Sequence, residues 1–110
     1  MFKIFSETDK LGTIYWYIEG TFILHREDGP AVEWYTGDKF WYLNGKTHRV
    51  DGPAIEYANR IKVWCQNDMR HRTDGPAVEY SNGENQYWLY GIYYEYIRTN
   101  EEWIIFQIIN

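Results

Sequence analysis

Three times the chain sets a histidine, an arginine, an aspartate and a glutamate within nine residues: His25, Arg26, Asp28 and Glu33; His48, Arg49, Asp51 and Glu56; His71, Arg72, Asp74 and Glu79. These are the parts of an acid–base centre or a small nuclease. Imidazole moves a proton, carboxylates orient it, and a guanidinium binds phosphate. The sets recur every 23 residues, in HREDGPAVEW, HRVDGPAIEY and HRTDGPAVEY.

Spacing tests the chemistry. Zinc needs its ligand atoms about 3–4 Å apart around one ion. Equivalent residues of successive two-strand units lie two strand spacings apart, about 9–10 Å. One ion cannot bridge the three histidines, so no metal site is expected and no cofactor is implied. An active site is one asymmetric place in a pocket, whereas here the set comes in three equal copies. The repetition points to a structural need met three times, and not to catalysis. Arg then pairs with the Asp two residues on, or with a neighbouring unit's Glu, in a ladder on the sheet face opposite the core. In this reading the phrase is a joint between hairpins. Within it, Asp is expected to accept a backbone N–H in an Asx turn. Gly tolerates the restricted position before Pro, and Pro sets φ for the next strand.

The elements around the joints read as antiparallel β-structure. Upstream of each joint stands an aromatic segment: WYIEG from Trp16, WYLNG from Trp41, WCQND from Trp64 and, with no joint after it, YWLYG from Tyr87. A period this short signals stacked supersecondary units, not separate domains. The reading is one all-β domain, an antiparallel meander of stacked β-hairpin repeats. Its units are 12–34, 35–57 and 58–80, followed by a half-unit at 81–98 and a cap at 99–110. Asn44-Gly45 is a tight-turn signal. Recurrent Pro and Gly forbid a long helix. Alternation places Val32, Ile55, Val78, Trp34, Tyr57 and Tyr80 on one face and the Ala and Glu residues on the other. The second strand carries aromatics on both faces: Trp16, Trp41, Trp64 and Tyr87 on one, Tyr17, Tyr42 and Trp88 on the other. The second face therefore needs a cover too, from curling, from the C-terminal segment or from another chain. Thr99 or Asn100 can cap a short helix with Trp103, Phe106 and Ile109 along one side, although the β-branched content also allows a strand.

Composition narrows the classes of function. Net charge is −5, which argues against a domain held on extended nucleic acid by phosphate neutralisation. The single cysteine, Cys65, forms no internal disulfide and suits a reducing cytoplasm. The first ten residues lack the apolar stretch of a secretory signal, and no apolar run reaches membrane-spanning length. Aromatic residues make up 20% of the chain, enough for a core and a contact surface together.

If the identical residues are joints, function belongs where the copies differ. ANRIKVWCQNDMR stands where its neighbour reads TGDKFWYLNGKT, which places Arg60, Lys62 and Arg70 in a locally basic stretch. The late aromatics Tyr87, Trp88, Tyr90, Tyr93, Tyr94 and Tyr96 exceed what a core needs. Trp88, Tyr90, Tyr93 and Tyr94, with Arg60, Lys62 and Arg70, are the candidate binding residues. Arg26, Arg49, Arg72 and Trp88 offer an alternative, holding the phosphates and base of a small nucleotide signal.

The run WYLNGKTHRVDGPAIEY, Trp41 to Tyr57, resembles the MORN-like repeats with the pattern WYxNGxxHRxDGPAxE, typical of bacteriophages, large DNA viruses and some bacteria. The likeness covers about residues 15–91. It implies hairpin repeats used as an interaction scaffold, with no shared catalytic residues to carry over. The expectation is a non-enzymatic binding protein in the host cytoplasm, most concretely a phage-encoded inhibitor of a bacterial host or defence protein, with self-association a further possibility. A sponge for a nucleotide signal is the alternative, and a small nuclease the remote one.

Overall fold

A computed structural model describes residues 3–110. Thirteen strands and one helix follow in order: β1 Ile4–Thr8, β2 Ile14–Ile18, β3 Val32–Glu33, β4 Lys39–Phe40, β5 Tyr42–Leu43, β6 Lys46–Thr47, β7 Ile55–Glu56, β8 Lys62–Val63, β9 Cys65–Gln66, β10 Met69–Arg70, β11 Val78–Glu79, β12 Trp88–Leu89, β13 Ile92–Tyr93 and α1 Asn100–Ile109. Strands β1-β2-β3-β4-β7-β8-β11 form one antiparallel sheet of seven, while β5-β6, β9-β10 and β12-β13 are separate two-stranded ribbons. In chain order the sheet pairs β3-β4 and β7-β8 each lead into a ribbon, β5-β6 and β9-β10, and the last sheet strand β11 precedes the ribbon β12-β13. The fold is thus an all-β meander of stacked hairpins with a C-terminal helix, 46 × 31 × 18 Å in extent.

The register sorts the residues into rows. Tyr15, Val32, Phe40, Ile55, Val63 and Val78 pair in succession across one face. Val32, Val63 and Val78 are buried there, and Tyr15, Trp34, Phe40 and Tyr57 run edge to face beside them. One residue along, the opposite face carries Glu33, Lys39, Glu56, Lys62 and Glu79 in register, alternating in sign. Opposite charges directly across a strand pair stabilise it. Next to that row, Trp16, Trp41 and Trp64 each donate a backbone N–H to Ala31, Ala54 and Ala77, which are wholly buried.

What covers the tryptophan face is arginine. The guanidinium groups of Arg26, Arg49 and Arg72 lie 4.0, 4.0 and 3.9 Å from the ring centres of Trp16, Trp41 and Trp64. Each Nε donates to the Asp two residues on, at 2.8–3.1 Å. Each Nη1 donates to the proline carbonyl of its own joint at 3.1 Å. The same nitrogen reaches Glu33, Glu56 or Glu79 at 3.2, 3.6 and 2.7 Å. The glutamate belongs to the arginine's own joint, seven residues on, and not to a neighbouring unit. The aspartate accepts from the arginine side chain rather than forming an Asx turn. The glycine before proline has a spatial reason: a Cβ at Gly29, Gly52 or Gly75 would stand 2.8–2.9 Å from the arginine Cζ.

Histidine joins one unit to the next. Nδ1 of His25, His48 and His71 accepts the backbone N–H of Asn44, Asn67 and Tyr90 at 2.9, 3.1 and 3.0 Å. Those three open the next ribbon's turn, with φ of 50°, 49° and 47°, and are followed by Gly45, Asp68 and Gly91, also at positive φ. Two successive positive φ values mark the hairpin turn whose twist matches the strands. Gly45, Asp68 and Gly91 in turn donate to the carbonyls of Leu24, Thr47 and Arg70.

After the third joint the pattern ends in α1. Thr99 caps it, accepting from the Glu102 N–H while the Glu102 carboxylate accepts from the Thr99 N–H, so the segment is a helix and not a strand. Trp103 is wholly buried, and its indole N–H donates to the Arg72 carbonyl at 3.0 Å. Gln107 donates to Thr73 at 2.7 Å. Tyr87 holds the place of the unit tryptophan, and the Trp103 ring, 5.4 Å away, covers it where a fourth arginine would lie. Phe106 joins this cluster, but Ile109, expected on the inner side, is exposed. Gln107, one turn on from Trp103, takes the inner position.

Gly52→Ala tests the joint. The added methyl group must displace the Arg49 guanidinium from Trp41, Pro53 and Asp51 together, and a cost of about 2 kcal/mol is expected from urea unfolding. An unchanged midpoint would show that the arginine moves aside freely.

Candidate functional site

The joints share one geometry, although His25 also lies 3.4 Å from Glu27 where the other joints have Val50 and Thr73. Across the three copies the histidine–backbone bond varies between 2.9 and 3.1 Å and the arginine–tryptophan distance between 3.9 and 4.0 Å. Each Nδ1 lone pair is engaged by a backbone N–H. Each guanidinium is already held by carboxylates, so a phosphate arriving there must displace one. Among the described residues no group of three or more His, Cys, Asp or Glu is placed to hold a metal ion. Cys65 is buried, and that burial pushes its thiol above 9.0, which keeps it protonated inside the apolar cluster with Val63 and Val78.

The symmetry breaks in the last unit. Asn85 and Gln86 stand where earlier units have Lys39–Phe40 and Lys62–Val63. Gln86 forms only an isolated bridge to Val78, so the charge row and the apolar row both stop. The chain then passes from Tyr93 to Arg98 without building a joint. Between the two segments opens a cleft of about 760 Å³, with Tyr80, Tyr93 and Tyr96 among its walls, Asn85 and Gln86 as polar groups, and Glu84, Glu95 and Arg98 as its charged residues. Arg98 donates to the Glu95 carbonyl. Trp88 adjoins the cleft through its indole N–H, which donates to Gln86 Oε1 at 3.1 Å, and its ring stacks on Tyr93 at 5.1 Å and 24°. Arg70 lies over the Trp88 ring at 4.9 Å.

The candidate binding residues therefore separate. Arg70, Trp88 and Tyr93 stack together. Tyr90 sits across the ribbon, its ring 4.1 Å from that of His71 and largely exposed. Tyr94 packs inward on Trp103 and Phe106 at 5.5 and 4.9 Å, as part of the helix cap. Lys62 lies in the charge row between Glu56 and Glu79. Arg60 occupies the turn between β7 and β8 at φ 76°, where the preceding unit has Gly37 at 98°. Arg60, Lys62 and Arg70 thus sit in three settings: a turn, the charge row and the Trp88 stack. Tyr80, Asn85, Gln86 and Arg98 were missed. Aligning the half-unit's NGENQ with TGDKF and NRIKV would have exposed Asn85 and Gln86 as departures.

No protein-family model, curated protein or solved structure matches the chain. Among the described residues no helix is long and apolar enough to cross a membrane.

His71 links the last joint to this unit, and its burial lowers its proton affinity below the ordinary 6.5. The neutral ring keeps the lone pair that accepts from Tyr90. As pH falls, the unfolded chain takes up this proton first. The contribution is complete above about pH 6.5 and is lost as pH falls from there towards the lower folded pKa. Urea midpoints of the wild type are expected to fall more steeply than those of His71→Gln over that window, and parallel profiles would contradict the assignment.

Proposed function

We propose that the protein is a non-enzymatic interaction protein that grips a protein partner with its last unit. One observation carries this reading. Of the seventeen large apolar side chains exposed among the described residues, eight fall between Tyr90 and Ile109: Tyr90, Ile92, Tyr93, Tyr96, Ile104, Ile105, Ile108 and Ile109. Concentrated exposed apolar surface marks interaction sites, and aromatic anchors dominate their energetics. Trp88 and Tyr93 are the rigid anchors, and the adjoining cleft offers amide groups for specificity. The repeats behind them act as a scaffold. With the resemblance to MORN-like repeats, the most concrete version is a phage-encoded inhibitor of a bacterial host or defence protein, acting in the host cytoplasm.

The test is capture from bacterial lysate with the tagged protein, followed by mass spectrometry and pairwise titration of each captured protein. The paired substitution Trp88→Ala and Tyr93→Ala is expected to weaken a specific partner at least about a hundredfold, as loss of two anchors does. Lys39→Ala, on the opposite face, is expected to leave it unchanged. Equal capture by the paired variant, or no retained protein at all, would contradict the reading.

A further inference from the structure

We propose that the opposite end of the molecule pairs with a second copy of the chain through β1, joining two seven-stranded sheets into one. This goes beyond the partner-binding reading and uses none of its residues.

Strand β1 is the outer edge of the sheet and, at five residues, matches β2 as the longest strand. It lacks two of the devices that blunt an edge, and its charges, Lys3 and Glu7, are of opposite sign. Ile4–Thr8 contains no proline, and its pairing with β2 runs without a bulge. The direction of its backbone groups follows from β2. Trp16 bonds through its N–H to Ala31 and through its carbonyl to His25, and Ile18 bonds through its N–H to Ile23, all away from β1. Ser6 and Ile4, opposite Trp16 and Ile18, therefore turn their own N–H and C=O groups outward. The Lys3 carbonyl, at odd parity, accepts inward from Glu19.

The side chains make this edge complementary to itself. Lys3, Phe5 and Glu7 share one face, with Phe5 half-exposed at the centre and opposite charges two residues to either side. Antiparallel pairing about a twofold axis at Phe5 sets Phe5 against Phe5 of the second copy. It sets Lys3 against Glu7, twice. Ile4 and Ser6 then exchange backbone hydrogen bonds with their counterparts, and the phenylalanines form the closely spaced non-bonded pair. Beside the strand, Phe5, Tyr17 and the fully exposed Phe22 line an apolar cleft of about 470 Å³. Charge complementarity in this one register selects a second copy over an unrelated strand. Within the chain Lys3 lies 4.0 Å from Glu19 and Glu7 accepts from the Tyr17 hydroxyl, and this register gives each a second, cross-copy partner that a strand without the Lys-x-Phe-x-Glu order does not offer at both positions.

The register gives a charge-swap test by sedimentation equilibrium over a concentration series, with circular dichroism to confirm folding of each variant. Wild type is expected to show a concentration-dependent dimer. Lys3→Glu alone and Glu7→Lys alone each place like charges opposite one another twice, and each is expected to weaken the dimer about tenfold or more. Mixing the two variants restores opposite charges at both positions, so a heterodimer is expected to form. Ser6→Pro, which removes an outward N–H at an edge position that tolerates proline, is expected to give a folded monomer. A monomeric wild type would overturn the proposal. So would single variants that remain dimeric, or a mixture that stays monomeric. A dimer indifferent to all three changes but dissociated by Ile108→Glu would move self-association to the helix and overturn it equally.

Discussion

A guanidinium seated over an indole, three times over, is the contact on which this fold depends. A single sheet with aromatic residues on both faces cannot cover itself. One face is closed by its own row of valine and aromatic rings. On the other, an arginine shields each unit tryptophan, and its remaining donors tie a carbonyl, an aspartate and a glutamate to the same spot. Arg suits the task because its planar fork stacks and hydrogen-bonds together, which the point charge of a lysine does not. The small residues follow. Alanine lines the strand beside the tryptophan, and glycine leaves room for the guanidinium.

This contact also explains how the repeat ends. A stack of identical units always exposes its last surface, and a repeat array must cap it. Here Trp103 supplies an aromatic cover for Tyr87 and a hydrogen bond to the Arg72 carbonyl. The helix thus stands in for the missing fourth joint. Because the segment between Tyr93 and Arg98 need not build that joint, it is free to wall a cleft instead. The candidate site is therefore a consequence of termination.

Much of the architecture was legible in the residues. The period, the strand alternation and Asn44-Gly45 gave hairpins, and Thr99 or Asn100 offered a helix cap beside a strand alternative, because these signals act over a few neighbouring residues. The partners of the joint residues were not legible in detail. Whether Asp28 accepts from a backbone N–H or from Arg26 depends on where the arginine travels, and that depends on Trp16, ten residues upstream. Tyr94 and Tyr93 are adjacent and alike in sequence, yet the strand pleat sends one into the cap and leaves the other exposed. The divergent third unit, 58–80, shows the opposite case. Arg60 takes a left-handed conformation where its neighbour has glycine, at about 1–2 kcal/mol. In the ribbon turn Asp68 replaces glycine but accepts from both the N–H and the hydroxyl of Thr47. One departure is compensated locally; the structure shows no contact that explains the other.

The central claim is that arginine and tryptophan stabilise the joint as a coupled pair. A double-mutant cycle with Trp41→Leu, Arg49→Met and the combination, read by urea unfolding, measures that coupling directly. The stacking account predicts a coupling of about 1–2 kcal/mol for this largely desolvated pair. Strictly additive losses would contradict it, and would mean that the arginine holds the joint through its carboxylates alone.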